Sequence, residues 1–353
     1  MERLQMNQMD QKKSSSMKDL HLKKLKDQVI VITGASSGIG LVTARMAAEK
    51  GAKVVAAARN EAALQKLVAE LTEKGHPAIY VQADVGKEED VNKIAETAIR
   101  EYGHFDTWVN NAGISIFGHS MDISIEDMKR MFDTNYWGVV YGTRAAVKHF
   151  KERKTPGALI NTGSLFGDRG TTVQSSYASS KFAVHGWTES IRMEVEKENI
   201  PVSVTLVHPG RIDTPYNEHA VSYMDKQPGH RGMIYPPEAV AEAILFAAEK
   251  PKRDLFVGSQ AKFYVTLGRV FPRFTDKLME KLMYPTQHLD RPSNPPEENA
   301  LYHAGYGLHE RGTKEGWIRS NSYYVKAAKH PIITTAAITG AGALLLMAAK
   351  KKK

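Results

Sequence analysis

Three side chains near the middle of the chain have the types and spacing needed for proton transfer at an oxygen atom. Tyr177 and Lys181 stand four positions apart in a segment with helical periodicity, which places both on one helix face. A cationic lysine favours the phenolate of a neighbouring tyrosine, and we expect it to lower the tyrosine pKa from about 10 toward the range of a general acid or base. Ser164, thirteen residues before Tyr177, offers a hydroxyl to a carbonyl oxygen on which negative charge develops.

A glycine-rich turn near the start of the chain has the properties of a phosphate-binding loop. Residues 33–40 read TGASSGIG, follow an apolar run that begins at Val29, and lead at once into a helical pattern from Leu41. The glycines allow a tight turn and a close approach to a pyrophosphate. That group then lies at the helix N-terminus, where amide groups and the helix dipole favour an anion. Because a strand precedes the turn and a helix follows it, we predict a dinucleotide site.

The end of the second apolar run indicates which dinucleotide this site takes. Proteins that bind NAD usually place a carboxylate here to hold the ribose 2′-hydroxyl, whereas an arginine nearby accommodates the 2′-phosphate of NADP. In this chain Ala58 stands where the carboxylate is expected, and Arg59 follows it. We therefore predict NADP(H) as the cofactor.

Seven short apolar runs alternate with longer stretches of helical periodicity. This alternation predicts right-handed βαβ units and a parallel sheet whose strands are buried on both faces. We predict an α/β fold, a doubly wound Rossmann fold with a seven-stranded parallel sheet, followed by a mainly helical and irregular C-terminal extension. The runs are Val29–Ile32, Lys53–Ala57, Ile79–Gln82, Thr107–Val109, Ala158–Asn161, Val202–Val207 and Leu255–Val257.

These motifs together carry a family resemblance. From about Gln28 to Gly258 the chain resembles the classical short-chain dehydrogenases/reductases, with every motif in the order and spacing of that family. The motifs are the turn at 33–40, Asn110-Asn111-Ala112-Gly113 after the fourth run, Asn135 in the following helix, Ser164, the pair Tyr177 and Lys181, and Pro209-Gly210 after the sixth run.

The resemblance implies a catalytic tetrad and a set of cofactor contacts. Lys181 would also hold the nicotinamide ribose, and Asn135 would anchor a water that relays protons. Asp84 would contact the adenine ring, Asn111 would pack beneath the cofactor, and Thr214 would touch the carboxamide. The implied catalytic residues are Asn135, Ser164, Tyr177 and Lys181. The implied cofactor-binding residues are Gly34, Ser36, Ser37, Gly38, Ile39, Gly40, Arg59, Asp84, Val85, Asn111, Ala112, Gly113, Tyr177, Lys181, Pro209, Gly210, Ile212 and Thr214.

The segments that set substrate choice in the family are largely apolar in this chain. They cover 114–118, 165–173 and 211–235, and they contain Ile116, Phe117, Leu165, Phe166, Tyr216, Tyr223 and Met224. We predict hydride transfer between nicotinamide and a carbonyl or secondary alcohol, with reduction of a lipophilic ketone or aldehyde of steroid, retinoid or acyl type. Two alternatives stay open. One is a 3-oxoacyl reductase; the other is a sensor or scaffold that binds NADPH without turnover, against which the complete tetrad argues.

Composition and charge exclude several other classes of protein. The 353 residues include no cysteine, which rules out disulfides, thiolate metal sites and a cysteine nucleophile. The thirteen histidines show no metal-ligand spacing, so we predict no metal, and we interpret His208 as a strand-end residue. The net charge of +9 lies in the two tails, and the balanced segment 29–321 argues against a nucleic-acid partner.

The chain divides into four parts by composition. A basic, flexible lead-in covers 1–27, the catalytic domain 28–258, an extension 259–330, and an apolar segment with a lysine tail 331–353. We expect amphipathic helices over 261–284 and an extended proline-rich connector over 285–300. The extension is predicted to serve as an oligomerisation arm or as a cap over the substrate cleft.

The apolar segment near the C-terminus suggests contact with a membrane. Residues 331–349 carry no charge, and nineteen helical residues would span about 28 Å, which is just enough for a bilayer core. We therefore predict a membrane-anchor helix, with the protein membrane-associated and its catalytic domain in the cytoplasm. The family resemblance further implies a homodimer or homotetramer that pairs through helices at 124–150 and 172–198.

Overall fold

A parallel sheet of seven strands forms the centre of the protein. The computed structural model describes residues 20–295, 298–313, 317–319 and 329. The strands are β1 (Val29–Thr33), β2 (Lys53–Ala58), β3 (Ala78–Gln82), β4 (Thr107–Asn110), β5 (Ile116–Phe117), β6 (Gly157–Thr162), β7 (Val202–Pro209), β8 (Val221–Ser222), β9 (Lys226–Pro228), β10 (Asp254–Val257) and β11 (His288–Pro292). The large sheet has the order β10-β7-β6-β4-β1-β2-β3. The predicted α/β, doubly wound fold is confirmed.

The strand order creates a crevice at the carboxyl edge of the sheet. β1 pairs in parallel with β2 on one side and with β4 on the other, so Val31 lies between Val55 and Trp108. The chain runs from β1 toward β2 and β3 and then crosses to β4. The loops that follow β1 and β4 therefore leave the sheet in opposite directions, and doubly wound folds bind ligands at this kind of switch point.

Helices cover both faces of the sheet. They are α1 (Gly38–Glu49), α2 (Glu61–Glu73), α3 (Glu88–Tyr102), α4 (Ile125–Phe132), α5 (Gly138–Arg153), α6 (Ser175–Lys197), α7 (Tyr216–His219), α8 (Pro237–Glu249), α9 (Ser259–Val270) and α10 (Pro272–Leu278). One core layer packs α1, α2 and α8 against the sheet, and the other packs α3, α5 and α6. The strands are buried on both faces, which explains why they appear in the sequence as continuous apolar runs.

The extension packs against the catalytic domain. The helices expected over 261–284 are present as α9 and α10, followed by a π-helical turn, Met279–Met283. The segment 285–300, which we expect to be an extended connector, is extended over β11, but there it packs by pairing antiparallel with β9 from the loop at 211–235. β11 contains one proline, Pro292, which is its last residue and stands opposite Lys226 of β9. Proline is tolerated at such a position because the ribbon has only two strands and the proline lies at its end.

The expectation of a membrane-associated protein is corrected by the structure. Among the residues that the structure describes, no helix has the length and apolar character needed to cross a bilayer. The segment 331–353, to which the anchor was assigned, lies outside the described residues, as does 1–19 of the predicted lead-in. The rest of that lead-in contacts the domain, since Leu25 is buried and its N–H donates to Glu249 Oε1 at 3.0 Å.

Candidate active site

The predicted catalytic residues converge at the carboxyl edge of the sheet. Ser164 follows β6, Tyr177 and Lys181 lie on α6, and Asn135 lies in a π-helical turn, Asp133–Trp137, between α4 and α5. Ser164, Tyr177 and Lys181 line a cavity of about 230 Å³, while Asn135 is buried behind it. Residues from the end of β6 and from α6 thus face one cavity, and a residue from a third segment lies directly behind it.

Lys181 is a buried cation with a main-chain partner. Its ammonium group donates to the Thr162 carbonyl at 3.0 Å. Burial lowers the pKa of Lys181 from 10.5 to about 8, because an apolar environment disfavours the charged form. The lysine therefore exchanges its proton much closer to neutral pH than a surface lysine does.

Tyr177 differs from the expectation based on sequence. Burial raises the pKa of its phenol, while hydrogen bonds with the hydroxyls of Ser164 and Tyr216 lower it. Lys181 Nζ lies 5.9 Å from the centre of the tyrosine ring and is turned toward Thr162. The predicted lowering of the Tyr177 pKa by Lys181 is wrong for this structure, because desolvation outweighs the favourable contacts. The groups that favour the phenolate here are hydroxyls.

Ser164 is held in place by its own local backbone. It precedes a 3-10 turn, Leu165–Gly167, and its Oγ accepts a hydrogen bond from the Phe166 N–H at 3.1 Å. That bond uses a lone pair of the oxygen and leaves the hydroxyl proton to be donated. The arrangement suits a group that stabilises negative charge on a substrate oxygen.

Asn135 connects two parts of the site. Its amide pairs with both main-chain groups of Ile114, with Oδ1 accepting from the N–H at 2.9 Å and Nδ2 donating to the carbonyl at 2.9 Å. Nδ2 also donates to Ser180 Oγ at 3.1 Å. The π-helical turn adds one residue to the helix and directs this side chain inward. Asn135 thereby joins the loop after β4 to α6, which carries Tyr177 and Lys181.

A buried cluster of histidines and carboxylates supports Ser164 from behind. The Ser164 N–H donates to His185 Nε2 at 3.4 Å, and the other ring nitrogen of His185 lies 3.5 Å from Asp168. Asp168 also pairs with His208 at 2.8 Å, and His208 in turn contacts Asp254 at 3.3 Å. Burial raises the pKa of Asp168, but its hydrogen bonds to His185 and His208 more than offset this and hold it well below the usual range.

The cluster contains two histidines that no sequence motif connects. His208 is the predicted strand-end residue on β7, and His185 comes from α6. One ligand atom from each of them and one from Asp168 lie within 4.8 Å of one another, a spacing that a metal ion could bridge. The pairing of His208 Nδ1 with Asp168 at 2.8 Å is also a hydrogen bond of ordinary length.

The glycine-rich turn has the shape that a pyrophosphate needs. Gly34 and Gly38 adopt positive φ angles of 68° and 52°, which L-residues with side chains rarely adopt. A Cβ on Gly40 would lie 2.1 Å from the Gly34 carbonyl oxygen, and one on Gly34 would lie 2.8 Å from Ala112 Cα. The turn can therefore fold this tightly only because these residues lack side chains. The turn and cavity fit a dinucleotide cofactor.

Nearly all of the predicted cofactor residues line this one cavity. The exception is Gly40, which lies beneath the turn. Those on the lining are Gly34, Ser36, Ser37, Gly38, Ile39, Arg59, Asp84, Val85, Asn111, Ala112, Gly113, Tyr177, Lys181, Pro209, Gly210, Ile212 and Thr214. Asn111 stays close to the turn because its side-chain amide donates to the Thr33 carbonyl at 3.0 Å.

Arg59 and Asp84 lie at the end of the cavity that an adenosine would occupy. Asp84 forms an ion pair with Arg130 at 2.5 Å. The Arg59 guanidinium donates to the main-chain carbonyls of Ala300 and Leu301, both in the C-terminal extension. Burial lowers the pKa of Arg59, and nearby Asp84 partly restores it.

The predicted substrate residues divide into two groups. Leu165, Phe166 and Tyr216 line the cavity. The remaining four do not line it: Ile116 and Phe117 are fully buried in β5, the Tyr223 hydroxyl donates to Asp127 at the surface, and Met224 packs beside Phe117. β5 does not reach the cavity because it is fully buried, and it pairs in parallel with β8, which belongs to the segment 211–235.

The extension contributes residues that the sequence analysis missed. Val265, Met279 and Met283 are buried in the same apolar cluster as Leu165, Phe166 and Tyr177. At the other end of the cavity, Ala300, Ala304 and Gly305 form part of the lining. No motif marks these residues, because they approach the site only through the packing of the extension. The extension thus forms part of the cavity lining at one end and joins the apolar cluster behind the lining at the other.

Comparison with known proteins gives a consistent family assignment. Residues 28–224 match the sequence profile described as short chain dehydrogenase. The chain is 72% identical over 346 residues to the uncharacterized oxidoreductase YxnA of Bacillus subtilis, covering 98% of this chain and 96% of that protein. It is 35% identical over 230 residues to 3beta-hydroxysteroid dehydrogenase 1 of Eggerthella lenta, covering 64% of this chain and 87% of that one.

A solved structure has the same fold. The crystal structure of a short chain dehydrogenase/reductase from Burkholderia phymatum in complex with NAD superposes with a TM-score of 0.62 at 23% identity, covering 78% of this chain and 99% of the other. The similarity to YxnA extends through the C-terminal extension, whereas the hydroxysteroid dehydrogenase matches about two thirds of the chain.

Proposed function

The chain belongs to the short-chain dehydrogenase family, and from that premise we propose that it is an NADP(H)-dependent reductase of lipophilic ketones or aldehydes. Its relatives are oxidoreductases, which supports an enzyme of that class. The observation that carries the proposal is the placement of Ser164, Tyr177 and Lys181 around one cavity with the glycine-rich turn. A sensor or scaffold without turnover would have no need of this arrangement.

The proposed chemistry divides between the cofactor and the side chains. When bound, the nicotinamide supplies the hydride that reduces the carbonyl carbon. Ser164 donates its hydroxyl proton as a hydrogen bond to the carbonyl oxygen, where negative charge develops. Tyr177 gives its proton to the same oxygen. Its raised pKa keeps it protonated beforehand, and the hydroxyl of Tyr216 stabilises the phenolate that remains.

Lys181, which lines the cavity beside Tyr177, takes part in this proton transfer. Its pKa of about 8 means that it can both hold and release a proton near neutral pH. Asn135 and Ser180 connect the helix that carries Lys181 to the loop after β4. We propose that this connection helps a proton from solvent to reach Tyr177 through Lys181 after each turnover.

The preference for NADP(H) rests on Arg59. It stands at the end of β2, where no carboxylate is present to bind a ribose 2′-hydroxyl, and its guanidinium carries the positive charge that a 2′-phosphate needs. The Burkholderia phymatum relative was solved with NAD. Both reduced nucleotides must therefore be compared directly as hydride donors.

The proposed substrate class follows from the apolar wall beside Tyr177. Leu165 and Phe166 line the cavity, and Met279 and Met283 of the extension belong to the buried apolar cluster behind them. Methionine side chains adapt to irregular apolar shapes, which suits a bulky carbonyl compound better than a short polar one. The hydroxysteroid dehydrogenase relative is consistent with a substrate of that kind.

Turnover on a panel of carbonyl compounds tests the proposal. The panel contains steroid ketones, retinal, a 3-oxoacyl thioester and small polar ketones, and the absorbance of the reduced nicotinamide reports consumption of NADPH or NADH. Tyr177→Phe is expected to lower kcat by about a hundredfold or more, since it removes the general acid. Tyr80→Phe is the matched control, because Tyr80 lies on β3 outside the cavity lining.

The possible results discriminate among the functions considered. Turnover of apolar ketones that is lost in Tyr177→Phe supports the proposal. Turnover of the acyl thioester alone identifies a 3-oxoacyl reductase. Nucleotide binding without turnover on any compound refutes the enzyme and favours a sensor.

We also expect the protein to form a homodimer or homotetramer. The helices α5 and α6, with the π-helical turn before α5, expose three large apolar side chains: Trp137 at 44%, Phe182 at 47% and Met193 at 64%. Large apolar groups on a solvent-facing helix are typical of an interface. Sedimentation velocity on the wild type and on Phe182→Glu measures whether these helices carry the contact.

A further inference from the structure

The C-terminal extension crosses the nucleotide end of the cavity. We call residues 298–313 the strap. Its first part contributes Ala300, Ala304 and Gly305 to the cavity lining, beside Arg59 and Asn60. The strap lies outside the segment 28–224 that matches the family profile, so the family motifs assign it no role.

The strap forms main-chain hydrogen bonds with the glycine-rich turn. The Leu308 N–H donates to the Ser36 carbonyl at 2.8 Å, and the Gly38 N–H donates to the His309 carbonyl at 2.9 Å. Gly38 is the first residue of α1, where backbone N–H groups have no partner within the helix. The strap is thus bonded directly to the glycine-rich turn, at the residues that lead into α1.

The strap also holds the two residues that follow β2. The Arg59 guanidinium donates to the carbonyls of Ala300 and Leu301, and Asn60 Nδ2 donates to the Gly305 carbonyl at 2.9 Å. A guanidinium has five N–H donors, so two carbonyls leave three for another acceptor. Arg59 is therefore oriented by the strap while part of its hydrogen-bonding capacity faces the cavity.

Ion pairs and close packing fix the strap in this position. Arg45 on α1 pairs with Glu310 at 2.7 Å, and Arg311 pairs with Glu238 on α8 at 2.6 Å. Gly307 lies so close to α2 that a Cβ at this position would be 2.2 Å from Ala63 Cβ. The strap is thus attached to three helices of the catalytic domain.

We propose that the strap is part of the cofactor site and that it strengthens the binding of NADP(H) relative to NAD(H) by holding Arg59 ready for the 2′-phosphate. This inference rests on the proposed function. A free arginine loses side-chain freedom when it binds a phosphate, whereas an arginine already held by two carbonyls has lost much of it beforehand. Release of the strap should therefore weaken NADPH binding more than NADH binding.

The test loosens the strap without removing it from the chain. In Gly307→Val the new side chain would clash with Ala63 and lift the strap from α2. The matched control is Gly170→Val, because nothing lies within 4 Å of the Cβ position at Gly170. A second variant, Glu310→Ala, removes the ion pair with Arg45 and leaves the core untouched.

Isothermal titration measures the Kd of NADPH and of NADH for each protein. For Gly307→Val we expect the Kd of NADPH to rise about three- to tenfold, with a smaller change for NADH and none in the control. Glu310→Ala should also raise the Kd of NADPH, by a smaller factor. Equal values in variant and control would overturn the inference, as would tighter NADPH binding in the variant, which would identify the strap as a competitor of the nucleotide.

Hydrogen exchange on the wild type gives a readout that does not depend on variants. NADPH should slow the exchange of the Leu308 and Ala300 amides, both of which are bonded between strap and domain. Faster exchange on addition of NADPH would overturn the inference. If the wild type binds neither nucleotide, the proposed function fails and the inference with it. If it binds both and reduces ketones while the strap variants match the control, the inference alone fails.

Discussion

Replacing Lys181 by methionine should stabilise the protein at neutral pH while removing its activity. The ammonium group is buried, and its pKa is lowered from 10.5 to about 8. At about 1.4 kcal/mol per pKa unit, the buried charge destabilises the folded state by about 3 kcal/mol at neutral pH. Methionine has a similar length and carries no charge, so it removes this cost. Loss of the hydrogen bond to Thr162 destabilises the variant by about 1 kcal/mol, so the free energy of unfolding should rise by about 2 kcal/mol in total.

The pH dependence of this gain follows from the direction of the pKa shift. Between about pH 8 and pH 10.5 the unfolded chain still binds a proton that the folded protein has released. The free energy of unfolding of the wild type therefore rises with pH across this range, whereas that of Lys181→Met does not share the rise. The advantage of about 2 kcal/mol at neutral pH should therefore disappear as the pH rises and become a deficit of about 1 kcal/mol near the upper end, where only the lost hydrogen bond separates the two proteins.

Urea denaturation of both proteins at a series of pH values measures this difference. Lys148→Met, an exposed lysine on α5, controls for the general effect of the substitution. A variant that is less stable than the wild type at neutral pH would refute the reasoning. So would a gain that stays constant between neutral pH and about pH 10, because the stabilisation would then not come from the buried charge.

Two further substitutions probe the turn and the histidine cluster. Gly40→Ala should lower the free energy of unfolding by about 1–3 kcal/mol and abolish nucleotide binding, since its Cβ would meet the Gly34 carbonyl at 2.1 Å; thermal denaturation and titration check this. The control is Gly186→Ala, at a helical glycine with open space around its Cβ position, and it should not lower the free energy of unfolding. A loss of stability in this control would contradict the reasoning. Asp168→Asn should cost about 3 kcal/mol below pH 6.5. Burial lowers the pKa of His208, but its hydrogen bonds to Asp168 and Asp254 outweigh burial and raise that pKa. The loss of stability in Asp168→Asn should therefore diminish as the pH rises through the pKa of His208, because the histidine then loses its charge. Urea denaturation at several pH values measures this loss. A loss that does not change with pH would mean that Asp168→Asn acts through packing and that the charge of His208 plays no part.

The sequence predicted the features that depend on neighbouring residues. The glycines at 34, 38 and 40 determine the backbone of the turn by themselves, because each acts through its own φ angle or its own missing side chain. The apolar runs predicted the strands, since a strand of a parallel sheet is buried on both faces wherever it lies. The spacing of Tyr177 and Lys181 predicted a shared helix face for the same local reason.

The sequence could not predict how far those residues are buried or what they contact. Lys181 turns toward Thr162, and desolvation outweighs the favourable contacts of Tyr177, so the pKa of the tyrosine is raised where the spacing alone predicted a fall. Burial is a sum over residues from many segments, and no short pattern reports it. Likewise β5 could not be separated from the true cavity lining, because apolar residues have the same signature beneath a site and within it.

By itself, then, the sequence determined the Rossmann fold, the family and the position along the chain of each proposed catalytic side chain, because these depend on residue patterns and their spacing. Only the tertiary structure decided what surrounds them. It places His185 and His208 beside Asp168, and it places the carbonyls of Ala300 and Leu301 where they accept hydrogen bonds from Arg59. Such contacts join residues separated by up to about 240 positions, and they form only when the extension packs against the domain and buries its apolar residues.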